Sequence, residues 1–237
     1  MLLSEVTWME VEEYLGRDDR LILPIGSCEQ HGRHLPFVTD SVIPWELTRR
    51  LSAATGVAGA PPLAYGMSLH HMRFPGTLSL KPATLAAAVT DLFECAHQHG
   101  FRRVLVVNGH GGNTLPLASS GSDVCNRLPG FKLKLAAWWE QPAVAELIVK
   151  RFGGPEAHAS AAETSVMMAL RAKTVRSERA QFSPAAHSFL FPSADEFRRR
   201  YPHGCAGLDP KLARAEIGEE ILAAAHKELE RELAEGW

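Results

Sequence analysis

A chain of 237 residues with 46% hydrophobic and 22% charged content can bury one substantial core, and its formal net charge of -2, with no clustered basic stripe, argues against nucleic acid or an anionic membrane surface as partner. No apolar run approaches the roughly 18 residues that cross a bilayer, and the acidic, helix-like first 13 residues are not a basic leader. Cys28, Cys95, Cys125 and Cys205 show neither zinc-finger spacing nor disulfide density, so a reducing cytoplasm and a small-molecule partner are expected.

In chain order, a first strand is predicted over residues 21–25 and a helix over 42–54, where Leu47 and Leu51 lie one turn apart. A strand at 57–61 leads to a helix over 83–99, opened by Pro82 and closed by Gly100. A strand at 104–107, a helix over 113–128, a strand at 133–137 and a helix over 160–172 follow. Residues 181–210 read as an ordered loop with one short helix near 194–201, and 211–235 as an amphipathic helix through Ile217, Ile221 and Leu222. Strands alternating with helices predict an α/β fold, a three-layer α/β/α sandwich around a mostly parallel sheet, in a single domain over 1–237. The last three strands lack polar alternation and are expected to be central.

Three segments carry ligand-type residues. Glu29-Gln30-His31-Gly32-Arg33-His34-Leu35-Pro36 follows the first strand. In extended chain, residues two apart point the same way, so Glu29 and His31 can converge on one ion, with Asp40 returning after a tight loop. Asp40 and Ser41 serve equally well as N-caps for the helix near residue 42. Asn108-Gly109-His110-Gly111-Gly112-Asn113 places His110 just past the carboxyl end of a strand, the edge where open α/β sheets bind ligands. A phosphate loop is the rival there, but the Lys-Ser/Thr ending is missing. In the third segment, His158 precedes Ser160-Ala161-Ala162-Glu163, which is also a capping-box pattern that needs no metal. On one helix His158 and Glu163 would point about 140° apart, so they converge only if His158 precedes the helix. His70 and His71 lie on a turn-rich loop, and Trp138 and Trp139 end a strand, where a tryptophan covers either a pocket or the core. His70, His71 and Trp139 are the candidate substrate contacts.

Taken together, Glu29-x-His31-Gly32-x-His34-Leu35-Pro36 with Asp40, the Asn108–Asn113 block, and His158 with Glu163-Thr164-Ser165 resemble the signature blocks of the creatininase family, from about residue 21 to 170. The resemblance implies an α/β sandwich assembled as a homohexamer, with two divalent ions per chain, zinc, manganese or iron, activating a water that bridges them. By position, Glu29, His31, Asp40 and His110 become ligands with Asp40 shared, and His158 moves protons. Creatininase proper has a glutamate where this chain has Gly112, so the resemblance makes Glu163 the remaining ligand. Arg33 stands where the family usually has proline, and it either sets a cation beside the site, favouring an acidic substrate, or is simply solvated. The implied activity is hydrolysis of a non-peptide or cyclic amide; peptide trimming, deformylation in cofactor biosynthesis, or a non-catalytic metal or small-molecule binder are the alternatives.

Overall fold

A computed structural model describes residues 1–178, 182–183 and 192–237. Among these, β1 (Arg20–Ile25), β2 (Ala58–Gly59), β3 (Arg103–Asn108) and β4 (Lys132–Ala137) form a parallel sheet in the order β2-β1-β3-β4. The register sets Ile25 opposite Asn108 and Asn108 opposite Ala137, so the carboxyl ends of three strands finish level.

Alternation along the strands sorts side chains between two helical layers. Ile22, Leu105 and Val107 pack toward α2 (Thr39–Thr55), α5 (Pro142–Phe152), α6 (Ala161–Arg171) and α8 (Ala215–Ala234). Leu21, Leu23, Ile25, Val104 and Val106 pack toward α1 (Trp8–Leu15), α3 (Pro82–His99) and α4 (Thr114–Arg127). The result is the expected three-layer α/β/α sandwich. In α3, Leu85, Val89, Phe93 and Ala96 form one buried stripe; Pro82 opens the helix and Gly100, at φ 109°, ends it. Each such fully buried side chain stabilises the fold by about 1.5–3 kcal/mol.

The structure departs from expectation in several places. Of the three strands expected to be central, only β3 is: β1 and β3 occupy the middle, and β2 and β4 the edges. β2 reads as buried because the first residues of the chain cover its outer side, Leu3 N–H donating to Gly59 O at 2.9 Å. β4 carries Lys132 and Lys134, and Lys134 Nζ reaches Glu232 at 2.9 Å, as suits an edge. Helix α5 was not foreseen, although Pro142 opens it and Gly153, left-handed at φ 82°, closes it. α2 begins at Thr39, which puts Asp40 in the first turn rather than at the cap. Part of the predicted loop at 181–210 lies outside the described residues; its short helix is α7 (Ala194–Arg200). No helix among the described residues is long and apolar enough to cross a membrane.

Candidate metal centre and its cavity

The centre forms where β1 and β3 end. Gly109 is required there: a Cβ would collide with the Asp40 carbonyl and with Pro44, so its absence lets the first turn of α2 rest on the end of β3. Asp40 thereby comes next to His110, and its carboxylate, in the first turn of a helix, lies at the favourable end of the helix dipole. Glu29 and His31, two residues apart, enter from the segment after β1.

Five side chains meet in two overlapping sets. Ligand atoms of Glu29, Asp40 and His110 lie within 4.8 Å of one another, as do those of His31, Asp40 and Glu163, so Asp40 belongs to both. His31 Nε2 is 2.9 Å from Asp40 Oδ1 and 3.7 Å from Glu163 Oε1. His110 Nδ1 is 3.3 Å from Asp40 Oδ2, and its Nε2 is 3.1 Å from Glu29 Oε2. His31 is anchored by its other nitrogen, Nδ1 on Glu29 O at 3.2 Å, whereas His110 Nε2 lies against both Met67 O at 3.0 Å and Glu29 Oε2, leaving Nδ1 toward Asp40. Holding one ring nitrogen by a carbonyl while the other faces carboxylates is the arrangement of metal-bound histidines. Glu29 Oε1, His31 Nε2 and Asp40 Oδ2 are buried without a partner in hydrogen-bonding geometry. Buried polar atoms are normally satisfied, and three unsatisfied ones converging on two spots fit a pair of cations.

Electrostatics agree. Burial opposes charge on Glu29, but the neighbouring histidines, His110 foremost, outweigh it and hold the carboxyl at about 2. Burial likewise opposes a protonated His110, and Glu29 and Asp40 outweigh it, pushing the imidazole to about 9; Asp40 and Glu163 do the same for His31. In the metal-free protein, protons on these two histidines supply the positive charge that the three carboxylates demand.

The chain enters α6 through Ala159, a non-glycine residue at φ 50°. Such strain collects at functional sites, and here it turns the backbone between His158, which precedes the helix, and the N-cap Ser160. Glu163 serves two purposes at once. Its Oε2 accepts the Ala159 N–H at 2.7 Å while Oε1 faces His31. The capping box read from the sequence does not form as expected, since Ser160 Oγ accepts from Ala162 N–H and Glu163 bonds the residue before the N-cap, which leaves Glu163 Oε1 free to face His31. His158 Nδ1 is 3.5 Å from Glu29 Oε1, and burial together with His71 and His31 holds its pKa well below 6.5, so the ring is neutral. His158 also comes within 4.8 Å of Glu29 and His31 as a third set of ligand atoms.

A cavity of about 560 Å3 opens on this cluster, with Asp40, His110, His158 and Glu163 on one wall, Trp139 and Leu115 on another, and Phe197, Arg200 and Tyr201 from α7 and its end above. His70 lines it and stacks on His110, ring centroids 6.0 Å apart. One expectation is corrected. His71 does not line the cavity; it is 1% exposed, with Nε2 3.2 Å from Glu29 Oε1, because its ring is packed among those of His70, His158 and Phe197, with centroids 4.1, 4.4 and 4.5 Å away. Of the two readings of Arg33 the solvated one holds: it pairs with Glu178 at 3.2 Å, well exposed and outside the cavity lining, and among the described residues the cation that lines the cavity is Arg200. The sequence reading also passed over Ser68, whose hydroxyl donates to Glu29 Oε2, and Gln30, which touches both His71 and His158. Glu156 was missed too: burial, with Glu163 nearby, pushes its carboxyl up to about 8, and it accepts the Ser160 hydroxyl at 2.6 Å. Gln30 lies between two marked residues and Ser68 in a flagged loop, but neither is a ligand type.

Comparison with known proteins agrees with this geometry. Residues 4–233 match the family described as creatinine amidohydrolase. Creatinine amidohydrolase of Pseudomonas putida is 31% identical, over 94% of this chain and 92% of that protein. The mycofactocin precursor peptide peptidase of Mycolicibacterium smegmatis is 30% identical, over 86% and 79%. The crystal structure of creatinine amidohydrolase superposes with a TM-score of 0.88 at 27% identity, over 99% of this chain and 98% of that one. A manganese creatininase and a zinc–zinc form of a creatininase mutant each give a TM-score of 0.86, at 27% and 28% identity, over 98% of this chain and 97% of theirs. The chain belongs to the creatininase family.

Proposed function

We propose that Glu29, Asp40 and His110 hold one divalent ion and His31, Asp40 and Glu163 a second, in a single hydrolase domain over residues 1–237 that cleaves the C–N bond of a non-peptide or cyclic amide. One observation carries the reading: two buried three-residue sets meet at Asp40, and Glu29 Oε1, His31 Nε2 and Asp40 Oδ2 there have ion-pair neighbours but no partner in hydrogen-bonding geometry. Zinc, manganese or iron held by these residues would supply Lewis acidity, lowering the pKa of a bound water and polarising the scissile carbonyl.

The protein's own groups do the rest. His158, neutral and 3.5 Å from Glu29, is placed to take at Nδ1 a proton from the water that adds to the carbonyl carbon and to give it to the nitrogen that leaves as the C–N bond breaks. Ser68 and His110 fix Glu29, and the Ala159 amide fixes Glu163, so the carboxylates are oriented before substrate arrives. His70 and Trp139 contact the substrate from the cavity walls, and the apolar ring of Phe197 limits water above them.

A second reading, peptide trimming or deformylation, is favoured by cavity size. About 560 Å3 accommodates a drug-sized molecule rather than a bare lactam ring, and Arg200 at its wall suits an extended, polar substrate. The family resemblance further suggests a homohexamer in the cytoplasm. Tyr65, Leu69, Met72 and Leu78, exposed on the segment between β2 and α3, supply apolar surface for assembly, which sedimentation tests.

The test of the main reading is elemental mass spectrometry on protein purified without chelator. About two ions of zinc, manganese or iron per chain, with turnover in an amide screen, supports it. A folded protein that stays empty when metals are supplied overturns it in favour of a non-catalytic binder.

A further inference from the structure

Gln30 sits beneath the centre, 4% exposed, and its side chain is fully engaged. Oε1 accepts the Gly32 N–H at 2.9 Å, which fixes the amide's orientation. Nε2 then has three neighbours for two hydrogens: Gly204 O at 3.1 Å, His71 Nδ1 at 2.9 Å and His158 Nε2 at 2.9 Å. His158 Nε2 also lies 2.8 Å from the main-chain O of Gln30. Were that nitrogen bare, it would face a carbonyl oxygen at hydrogen-bonding distance with no hydrogen between them. It therefore carries the hydrogen and donates it to Gln30 O, and the two amide hydrogens go to Gly204 O and His71 Nδ1. His71, accepting at Nδ1, keeps its hydrogen on Nε2, the atom 3.2 Å from Glu29 Oε1.

We infer that Gln30 is a positioning residue that sets the tautomers of two histidines: its side chain makes His71 present an Nε2–H to Glu29, and its main-chain carbonyl leaves His158 with a bare Nδ1 toward the centre. The consequence for turnover rests on the reading proposed above; the tautomers themselves do not. Gly204 is part of the device, since a Cβ there would strike Gln30 Oε1.

The experiment is ring-nitrogen NMR on full-length protein labelled with 15N-histidine, metal-free and zinc-loaded, because hydrogen-bearing and bare ring nitrogens resonate far apart. His71→Asn and His158→Asn assign the signals. In the unsubstituted protein both rings should carry hydrogen on Nε2. Gln30→Glu, which keeps the size and removes both N–H donors, should abolish that pattern at His71 and leave it at His158, with kcat down roughly 10- to 100-fold at unchanged metal content. Hydrogen on Nδ1 of either ring in the unsubstituted protein overturns the inference, as does an unchanged His71 signal or unchanged kcat in Gln30→Glu. Should that variant fail to fold, the unsubstituted spectrum still decides. A protein with the expected tautomers but neither metal nor turnover would refute the hydrolase reading alone.

Discussion

The two ends of the central strands are both crowded with opposite charges, and they are built differently. At the amino ends, Arg20 grips Asp18 at 2.6 Å, and Arg103 reaches Asp18 at 3.5 Å and bonds Asp19, all partly open to solvent. At the carboxyl ends, three carboxylates face histidines in near-complete burial, and three polar atoms are left over. Arginine stays charged and its planar fork satisfies a carboxylate, so the first arrangement is closed. Histidine surrenders its proton near neutrality, so the second can exchange protons for other cations. The same strands thus carry a structural clasp at one end and a receptive site at the other.

The contrast is broken most severely at the shared ligand. Asp40→Asn should abolish turnover and reduce metal from about two ions per chain to below one; retention of both ions would remove Asp40 from the centre. Next, His158→Ala is expected to lower kcat roughly 100- to 10,000-fold while metal content holds, and loss of metal would instead make His158 a ligand. Glu163→Gln should release one ion and keep most of the start of α6, because the amide oxygen still accepts from Ala159, as elemental analysis with circular dichroism will show.

Proton occupancy sharpens the comparison. Because His31 and His110 have raised pKa values in the metal-free fold, their stabilisation is complete below the ordinary value of 6.5 and is lost as pH rises through about 9 at His110. The melting temperature of metal-free protein should fall across that window. Zinc-loaded protein should not show the fall, since ions replace those protons; identical pH profiles would contradict the picture. At the other end of the strands, Arg103→Ala should cost about 0.2–1 kcal/mol in denaturant titration with no change in metal or turnover. Arg33→Ala, whose pair with Glu178 is exposed, should be the mildest of all.

The sequence disclosed ligands more readily than their supports. Glu29, His31, Asp40, His110 and Glu163 are ligand-type residues in short, turn-bounded segments; spacing brought Glu29 and His31 to one cluster, but in the proposed centre they belong to different sets rather than to one ion. Gln30 and Ser68 act through contacts with residues far along the chain, His158 in one case and Glu29 in the other, and no local pattern encodes a separation of 128 or 39 residues; Glu156 meets Ser160 only four residues on, and its burial is what the sequence does not show. The fold class followed from alternation of strands and helices. Strand order did not, because β2 looks central only until the first three residues are seen to cover it. Helix α5 was passed over despite its Pro142 and Gly153, since its stripe is short, with Val144 and Ile148 as its buried residues.

Gly112 gives this centre a constraint as well as a shape. A side chain there would run into the Met67 carbonyl and the His110 ring, and that same carbonyl anchors His110. Any side chain at residue 112 therefore demands that the turn around Met67 move first, and His110 loses its footing when it does, so this loop is closed to a single substitution that would bring a carboxylate in beside His110.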